Sequence, residues 1–545
     1  MKKSIILVAL GILSIGSAFS QGEMDAYKFA KNDLTGTARA VSMGGAFGAL
    51  GGDITGIAIN PAGIGVYRSS EVVTTLNFQN THNKTDMFSP VFSGGELTES
   101  KFKFAFDNLA FVASIPTESY KIPLVNVGFS YNKLKSFDRK YAVQGQHLNN
   151  SLVDYMGYSA SGYAPNAILD SKDNRGTWDN DWLAVLGYNS FLLNPVNPNR
   201  LDDKQQFYSV MDMNGIDSDN YLYAREKGSI NSYDFNAGTT FDDMLSFGLS
   251  LSVTDINYHK YTSYTEDFYM GASGGDAHVG GYDLYNELKT EGAGWQVKTG
   301  LIFKPIHELR VGVAYHSPTW YKMTDYYTAD LDHDISGLKK IAGNKLESGY
   351  ASGTVLSEYG AMDYEFSSPD KWTFSLAGVL GKNAIISLDY ELTNYSRMKI
   401  YDDRGDNLYW GKDSFNDIIK NDFKTASTLR VGGEYRVTPQ FSLRAGYAWM
   451  ESPVAAELRN NEVEALVVGS DPHYIVEGDT SHFTYGLGYR FTKNFYMDVA
   501  FVMKNQKADL YSYPTFGYNN VDFVPEKATL KTSTFNGLLT FGFRM

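Results

Sequence analysis

Cysteine is absent from all 545 residues, which excludes a disulfide framework and a lipid-attachment thiol. Long apolar runs are missing as well. After residue 20 nothing approaches the roughly 18 to 20 consecutive apolar residues of a membrane helix, so helical spans are excluded. A basic balance is also lacking: 48 Lys and Arg face 62 Asp and Glu, a formal charge of -14, or -16 (-14 minus 2) once Lys2 and Lys3 leave with a leader. Nucleic acid requires the opposite sign, and solvated acidic loops account for the excess. The 9 His are dispersed without zinc-ligand spacing, and no catalytic residue, metal or cofactor is expected.

What is present begins with Met1, Lys2 and Lys3, an apolar run from Ile5 to Ile15, and Ala18-Phe19-Ser20 before Gln21. That order is a signal peptide over 1–20, which implies export and a mature start at Gln21. Next comes Gly36 to Tyr67, GTARAVSMGGAFGALGGDITGIAINPAGIGVY, glycine-rich and apolar. Glycine weakens helices and strands alike, so this stretch needs neighbours on every side, and an enclosure would supply them.

The remainder reads as the wall of one. Leu309, Val311, Val313 and Tyr315 share a face opposite Arg310, Gly312, Ala314 and His316; Phe483, Tyr485, Leu487, Tyr489 and Phe491 oppose Thr484, Gly486, Gly488 and Arg490. The polar faces mix charges with small residues, as in Ser246, Gly248, Ser250 and Ser252. A mean hydropathy of -0.29, with 39 Tyr and 33 Phe, suits membrane β-strands of about 9 to 11 residues flanked by aromatic girdles. Arg310, Arg430, Arg436, Asp389, Glu391, Arg444, Arg490 and Asp498 then face the lumen.

About fourteen strands are expected, near 70–85, 101–115, 123–134, 230–241, 245–266, 294–304, 309–325, 371–380, 384–400, 425–437, 441–450, 481–491, 495–506 and 531–544. Short turns alternate with long polar loops at 135–229, 267–293, 326–370, 401–424, 451–480 and 507–530. The fold class is therefore all-β, a transmembrane outer-membrane β-barrel of about 14 antiparallel strands over 70–545 with both mature termini periplasmic. Such a lumen is wider than its own side chains fill, and residues 21–69 are expected to close it as an N-terminal hatch.

GTARAVSMGGAFGAL followed by Asn60-Pro61-Ala62-Gly63, together with GWQVKTGLIFKPIHELRVGVAYHS, TLRVGGEYRVTPQFSLRAGYAWMESPV and YGLGYRFTKNFYMDVAF, resembles the FadL/TodX long-chain fatty-acid and hydrocarbon transporters of Gram-negative outer membranes. The resemblance implies a passive transporter rather than an enzyme. A hydrophobic small molecule, a long-chain fatty acid by default, would be captured at external loops, bind against the hatch and leave sideways at a kinked third strand. Asn60, Pro61 and Ala62 take the hatch motif, with Gly63, Gly44, Gly45 and Arg39 beside it for gating and ligand contact. Leu124 to Leu134 is the third strand, and Gly128 the place for its kink. Outer-membrane lipid and the barrel-assembly machinery are the implied partners, and a monomer is the expected form. Two departures stand out: 135–229 is long for the loop it occupies, and Phe543-Arg544-Met545 displaces the terminal aromatic.

Each motif also has a plainer reading. Asn60-Pro61 makes a tight turn whether or not it gates. Arg39 could meet a ligand carboxylate, but pairing with a lumen acid is the stronger expectation because an unpaired charge there is costly. Gly271-Ala272-Ser273-Gly274-Gly275 fits a nucleophile elbow without the strand-turn-helix context. Asp330, Asp332 and Asp334 imitate a calcium loop, yet Ile335 and Ile341 stand where Gly and Glu are needed. Uptake of haem or an aromatic hydrocarbon, a structural or adhesive barrel, and a hydrolase with a Ser-His-Asp set at the rim are the alternatives.

Overall fold

A computed structural model describes residues 22–87, 96–148, 150–169, 181–212, 216–270, 277–337, 352–356, 359–381, 383–410, 412–467, 469–518 and 521–545. The leader and the Gly271 to Gly275 pattern lie outside them. Fourteen antiparallel staves form one ring among the described residues: β1 (Glu71–Thr85), β2 (Leu97–Pro116), β3 (Leu124–Ser136), β4 (Ile216–Phe241), β5 (Leu245–Met270), β6 (Ala277–Ile306), β7 (Leu309–His316, continued by Trp320–Asp334), β8 (Lys371–Leu380, preceded by Gly360–Ser367), β9 (Ala384–Asn394), β10 (Thr425–Arg436), β11 (Phe441–Met450), β12 (Tyr474–Arg490), β13 (Phe495–Tyr511) and β14 (Lys527–Arg544). The ring closes where Glu71 to Thr85 pair with Arg544 to Leu530. Turns such as 242–244 and 437–440 lie at one end, and the long connections at the other.

Stave β5 explains why the wall is taller than a bilayer. Phe247, Leu249, Leu251 and Val253 are exposed on the outside while Ser246, Ser250 and Ser252 are buried inside. From Ile256 the alternation keeps its phase but the outer face turns polar: His259, Thr265 and Asp267 face out, while Ile256, Tyr258, Tyr264 and Phe268 are buried within beside Lys260, Thr262 and Glu266. Trp295 and Trp320, on the neighbouring staves, meet at this level with ring centroids 4.5 Å apart, as in an interfacial girdle. A 26-residue strand at about 3.3 Å per residue and about 40° tilt rises about 65 Å, against an apolar band about 25 Å tall.

The same change corrects the expected loop at 267–293. Apart from 271–276, which are not described, this segment is strand in β5 and β6, with Tyr282 and Leu284 buried inside. Asp330, Asp332 and Asp334 likewise sit on the extended strand that continues β7, not in a coiled loop.

The 135–229 segment is not one open loop either. β3 continues as Arg139–Leu148, α4 (Leu152–Ala160) and α5 (Trp182–Asn189) follow, numbered after three helices described below, and β4 returns from Ile216. Ser151 caps α4 with the reciprocal bond from its own N–H to Asp154, and Asp181 accepts from the Leu183 N–H at 2.9 Å at the start of α5. Leu152, Met156, Leu186 and Phe207 join Tyr264, Phe268, Tyr282 and Leu331 of the staves in one core that roofs the mouth.

This cap carries a pH dependence. Burial pushes the Asp154 carboxyl up to about 6 and the Glu464 carboxyl, near the Tyr158 hydroxyl, up to about 7. Carboxyls raised in the folded state hold protons there that the unfolded chain has released, so their contribution is fully present below the ordinary carboxylate range and is lost as pH rises through about 6 to 7. Hydrogen exchange at 152–160, corrected for intrinsic rates, is expected to accelerate between pH 5 and 8, and Glu464→Gln to flatten the upper part of that rise.

Candidate functional site

Inside the barrel lie α1 (Glu23–Ala30), α2 (Ala38–Ser42), α3 (Ile54–Ile59) and a 3-10 turn, Pro61–Val66. Local chemistry fixes them. Thr37 caps α2 and its hydroxyl donates to Asp53 at 2.8 Å, while Asp53 caps α3 through the Thr55 N–H at 2.9 Å. Gly44 and Gly45 have φ of +65° and +74°, a left-handed pair that glycine adopts without strain. There the chain turns against the wall, and the Gly44 N–H donates to Thr484 Oγ1 at 3.0 Å.

Asn60 is the pin of the motif. Its Nδ2 donates to the Gly48 carbonyl at 2.7 Å and to the Leu301 carbonyl of β6 at 3.2 Å, and its Oδ1 accepts from the Ala62 N–H at 3.1 Å. Pro61 opens the 3-10 turn, where a missing N–H costs nothing, and Ala62 and Gly63 are buried in it. The wall makes room through a cross-strand row, Gly238, Gly248, Gly300 and Ala314 on β4 to β7. A Cβ at Gly248 would overlap the Pro61 carbonyl, and one at Gly300 the Asn60 side-chain oxygen.

Charges fasten the opposite side. Arg39 Nε donates to Glu434 at 3.1 Å, Glu434 also accepts from Arg444 Nε at 2.6 Å, and Arg444 Nη1 donates to Asp498 at 2.6 Å. Arg39 thus meets a lumen acid. The N–H groups of Phe47 and Gly48 both donate to one oxygen of Asp389 at 2.9 Å, and Arg310 donates to the Leu50 carbonyl.

Gly128 lies in an uninterrupted ladder, opposite Val112 on one side and Asn236 on the other. The irregularities of this wall fall elsewhere. Asp107 is an extra residue in β2, and Leu134 in β3, where its carbonyl accepts from the Asp33 N–H at 2.9 Å.

Above the pinned motif, α1 faces a cavity of about 60 Å³ lined by Met24, Leu288, Leu466 and Ile475 together with ionised side chains. This holds a few waters or the head of a larger ligand. Lys28 pairs with Asp25 at 2.7 Å, Lys31 with Glu477 at 2.8 Å, Lys260 with Asp471 at 2.8 Å, and Arg139 with Glu226. His473 is engaged at both ring nitrogens, Nδ1 with Asp471 and Nε2 with the Tyr141 hydroxyl at 3.2 Å. Lys31, Arg139, Glu226 and Glu477 escape a sequence reading because their partners lie far along the chain. The one signal available was Glu226 on the inward face of a strand.

A closed antiparallel barrel, apolar outside and occupied inside by its own N-terminal segment, defines a plugged membrane barrel. The chain belongs to the outer membrane protein transport protein family (OMPP1/FadL/TodX), whose model matches residues 216–523. Over 217 residues it is 26% identical to the 47 kDa outer membrane protein of Pasteurella multocida, covering 40% of this chain and 44%, less than half, of that relative's length. The crystal structure of a Pseudomonas aeruginosa FadL homologue has the same fold, with a TM-score of 0.50 at 13% identity over 94% of this chain and 99% of that one. The P. putida toluene transporter TodX is also similar, with a TM-score of 0.49, 13% identity and the same coverage.

Proposed function

We propose that the chain carries hydrophobic molecules with a polar head, long-chain fatty acids first among them, passively across the outer membrane, with its short turns and both mature termini in the periplasm. The cavity against α1 carries this reading, since it joins an apolar wall to seven ionised side chains. An aromatic hydrocarbon would strip water from those groups and return no hydrogen bond. Haem is not favoured either, because His473 has no free ring nitrogen for an iron. In a hydrolase the Asp471-His473 pair would face a serine, and here it faces Tyr141.

In this reading residues 22–67 are the hatch, held by Asn60 and Asp389, and the cap at the long-loop end is the capture surface. Sideways release would part the ladder at Asp107 and Leu134 rather than at Gly128. Asn60→Ala removes three hydrogen bonds, a loss of about 1 to 3 kcal/mol, and is expected to speed proteolysis of 22–67 several-fold and to change whole-cell uptake of labelled oleate. If deletion of 21–39 left both uptake and oleate binding unchanged, the hatch assignment would fall.

A further inference from the structure

The mouth of the lumen at the short-turn end is lined by arginine. Its acids are already engaged: Glu434 by Arg39 and Arg444, Asp498 by Arg444, and Glu71 by Arg544 at 3.2 Å and by the Tyr496 hydroxyl at 2.6 Å. Arg436 and Arg490 are different. Both face inward near the ends of β10 and β12, both are exposed, and among the described residues neither has a carboxylate within 4.0 Å of its guanidinium.

The register brings the two together. Ser442 of β11 pairs with Arg436 on one side and with Gly488 on the other, and Arg490 is the next inward residue after Gly488. With paired Cα atoms about 5 Å apart and alternate residues about 6.6 Å apart, the two arginine Cα atoms lie about 12 Å from one another, within the joint reach of two such side chains. Ser442, half-buried, stands between them, and the Arg444–Asp498 pair lies over Gly488 on the inner side. Two exposed guanidinium forks with no carboxylate within 4.0 Å, at the open end of the lumen in a chain of net charge -14, suit a planar carboxylate.

We propose that Arg436 and Arg490 form an anion site in the short-turn mouth that takes the carboxylate of an amphiphile leaving the barrel along its axis. The site rests on the ligand class proposed above and adds a downward exit to the sideways one. Because the chain has no cysteine, Ser442→Cys places a single thiol between the two arginines.

In the full mature protein in non-ionic detergent, an anionic methanethiosulfonate is expected to outpace a cationic one at that thiol by several-fold more than at Asn257→Cys, on the outer face midway along β5. Arg436→Gln with Arg490→Gln should abolish the preference, and the corresponding Lys pair should keep it. Laurate should slow the reaction several-fold in the parent and not in the Gln pair, while dodecanol should leave it unchanged. Equal slowing by laurate and dodecanol, or no preference for the anionic reagent, in protein whose heat-modifiable migration reports a folded barrel, would overturn the site. Whole-cell laurate uptake, measured in parallel, reads the transport function separately. Uptake without protection sinks only this mouth site, whereas protection without uptake supports the site and removes the transport reading.

Discussion

Gly300→Val is expected to unseat the N-terminal segment while leaving the barrel closed. The glycine lies on a stave whose pairing does not depend on its side chain, so the ladder to β5 and β7 has no reason to part. Inward, a first added carbon would stand inside the Asn60 side-chain oxygen and close to the Pro61 ring. Asn60 cannot step aside, because three hydrogen bonds fix it. Gly248→Val meets backbone instead, the Pro61 carbonyl and the Ala62 nitrogen, which yields even less. The cost should exceed the about 1 to 3 kcal/mol of ordinary overpacking. Thermolysin cleavage of 22–67 and single-channel conductance should both rise sharply, while Gly378→Val, with open space at its Cβ, should do neither. A Gly300→Val barrel whose N-terminal segment stayed protease-resistant would refute the docking.

Arg444→Met is expected to be the most damaging single change in the lumen. Arg444 is 8% exposed and bridges Glu434 and Asp498, and Arg39 completes the chain of four. Without it Glu434 keeps Arg39, but among the described residues Asp498 loses its one ion-pair partner while 3% exposed. Stranding a buried charge costs about 3 to 5 kcal/mol, whereas replacing a whole pair by apolar groups is often nearly neutral. Arg444→Met should therefore lower the urea midpoint of the detergent-solubilised barrel, and Arg444→Met with Asp498→Leu should recover most of the loss. A double variant as unstable as the single one would mean that the packing of Arg444, not its charge, is what matters.

The staves were legible wherever lipid imposes its contrast. Lys371–Leu380 and Phe441–Met450 fall where the alternation of Trp372, Phe374 and Leu376, or of Leu443 and Tyr447, puts them. Above the girdle the outer face of the same alternation is polar, so Thr265, Asp267 and Asp283 read as a loop although Phe268 and Tyr282 between them are core. The pairing of Arg39 could be argued from the cost of burying a lone charge, but its partner could not, since Glu434 is 395 positions away. Gly128 misled for a related reason. A glycine in a strand can mark a bend or a close approach, and here the neighbour that a Cβ would crowd is Ile64 of the enclosed segment together with the Phe111 carbonyl.

The seam between β1 and β14 joins the first stave to the last, and the segment it shuts in precedes both in the chain. Residues 22–67 bond to partners as far apart as Asn126, Asp389, Thr484 and Thr540, so their final position cannot exist until nearly every stave has been delivered. Docking of this segment is therefore completed late, only once wall residues from the third stave to the last are in place.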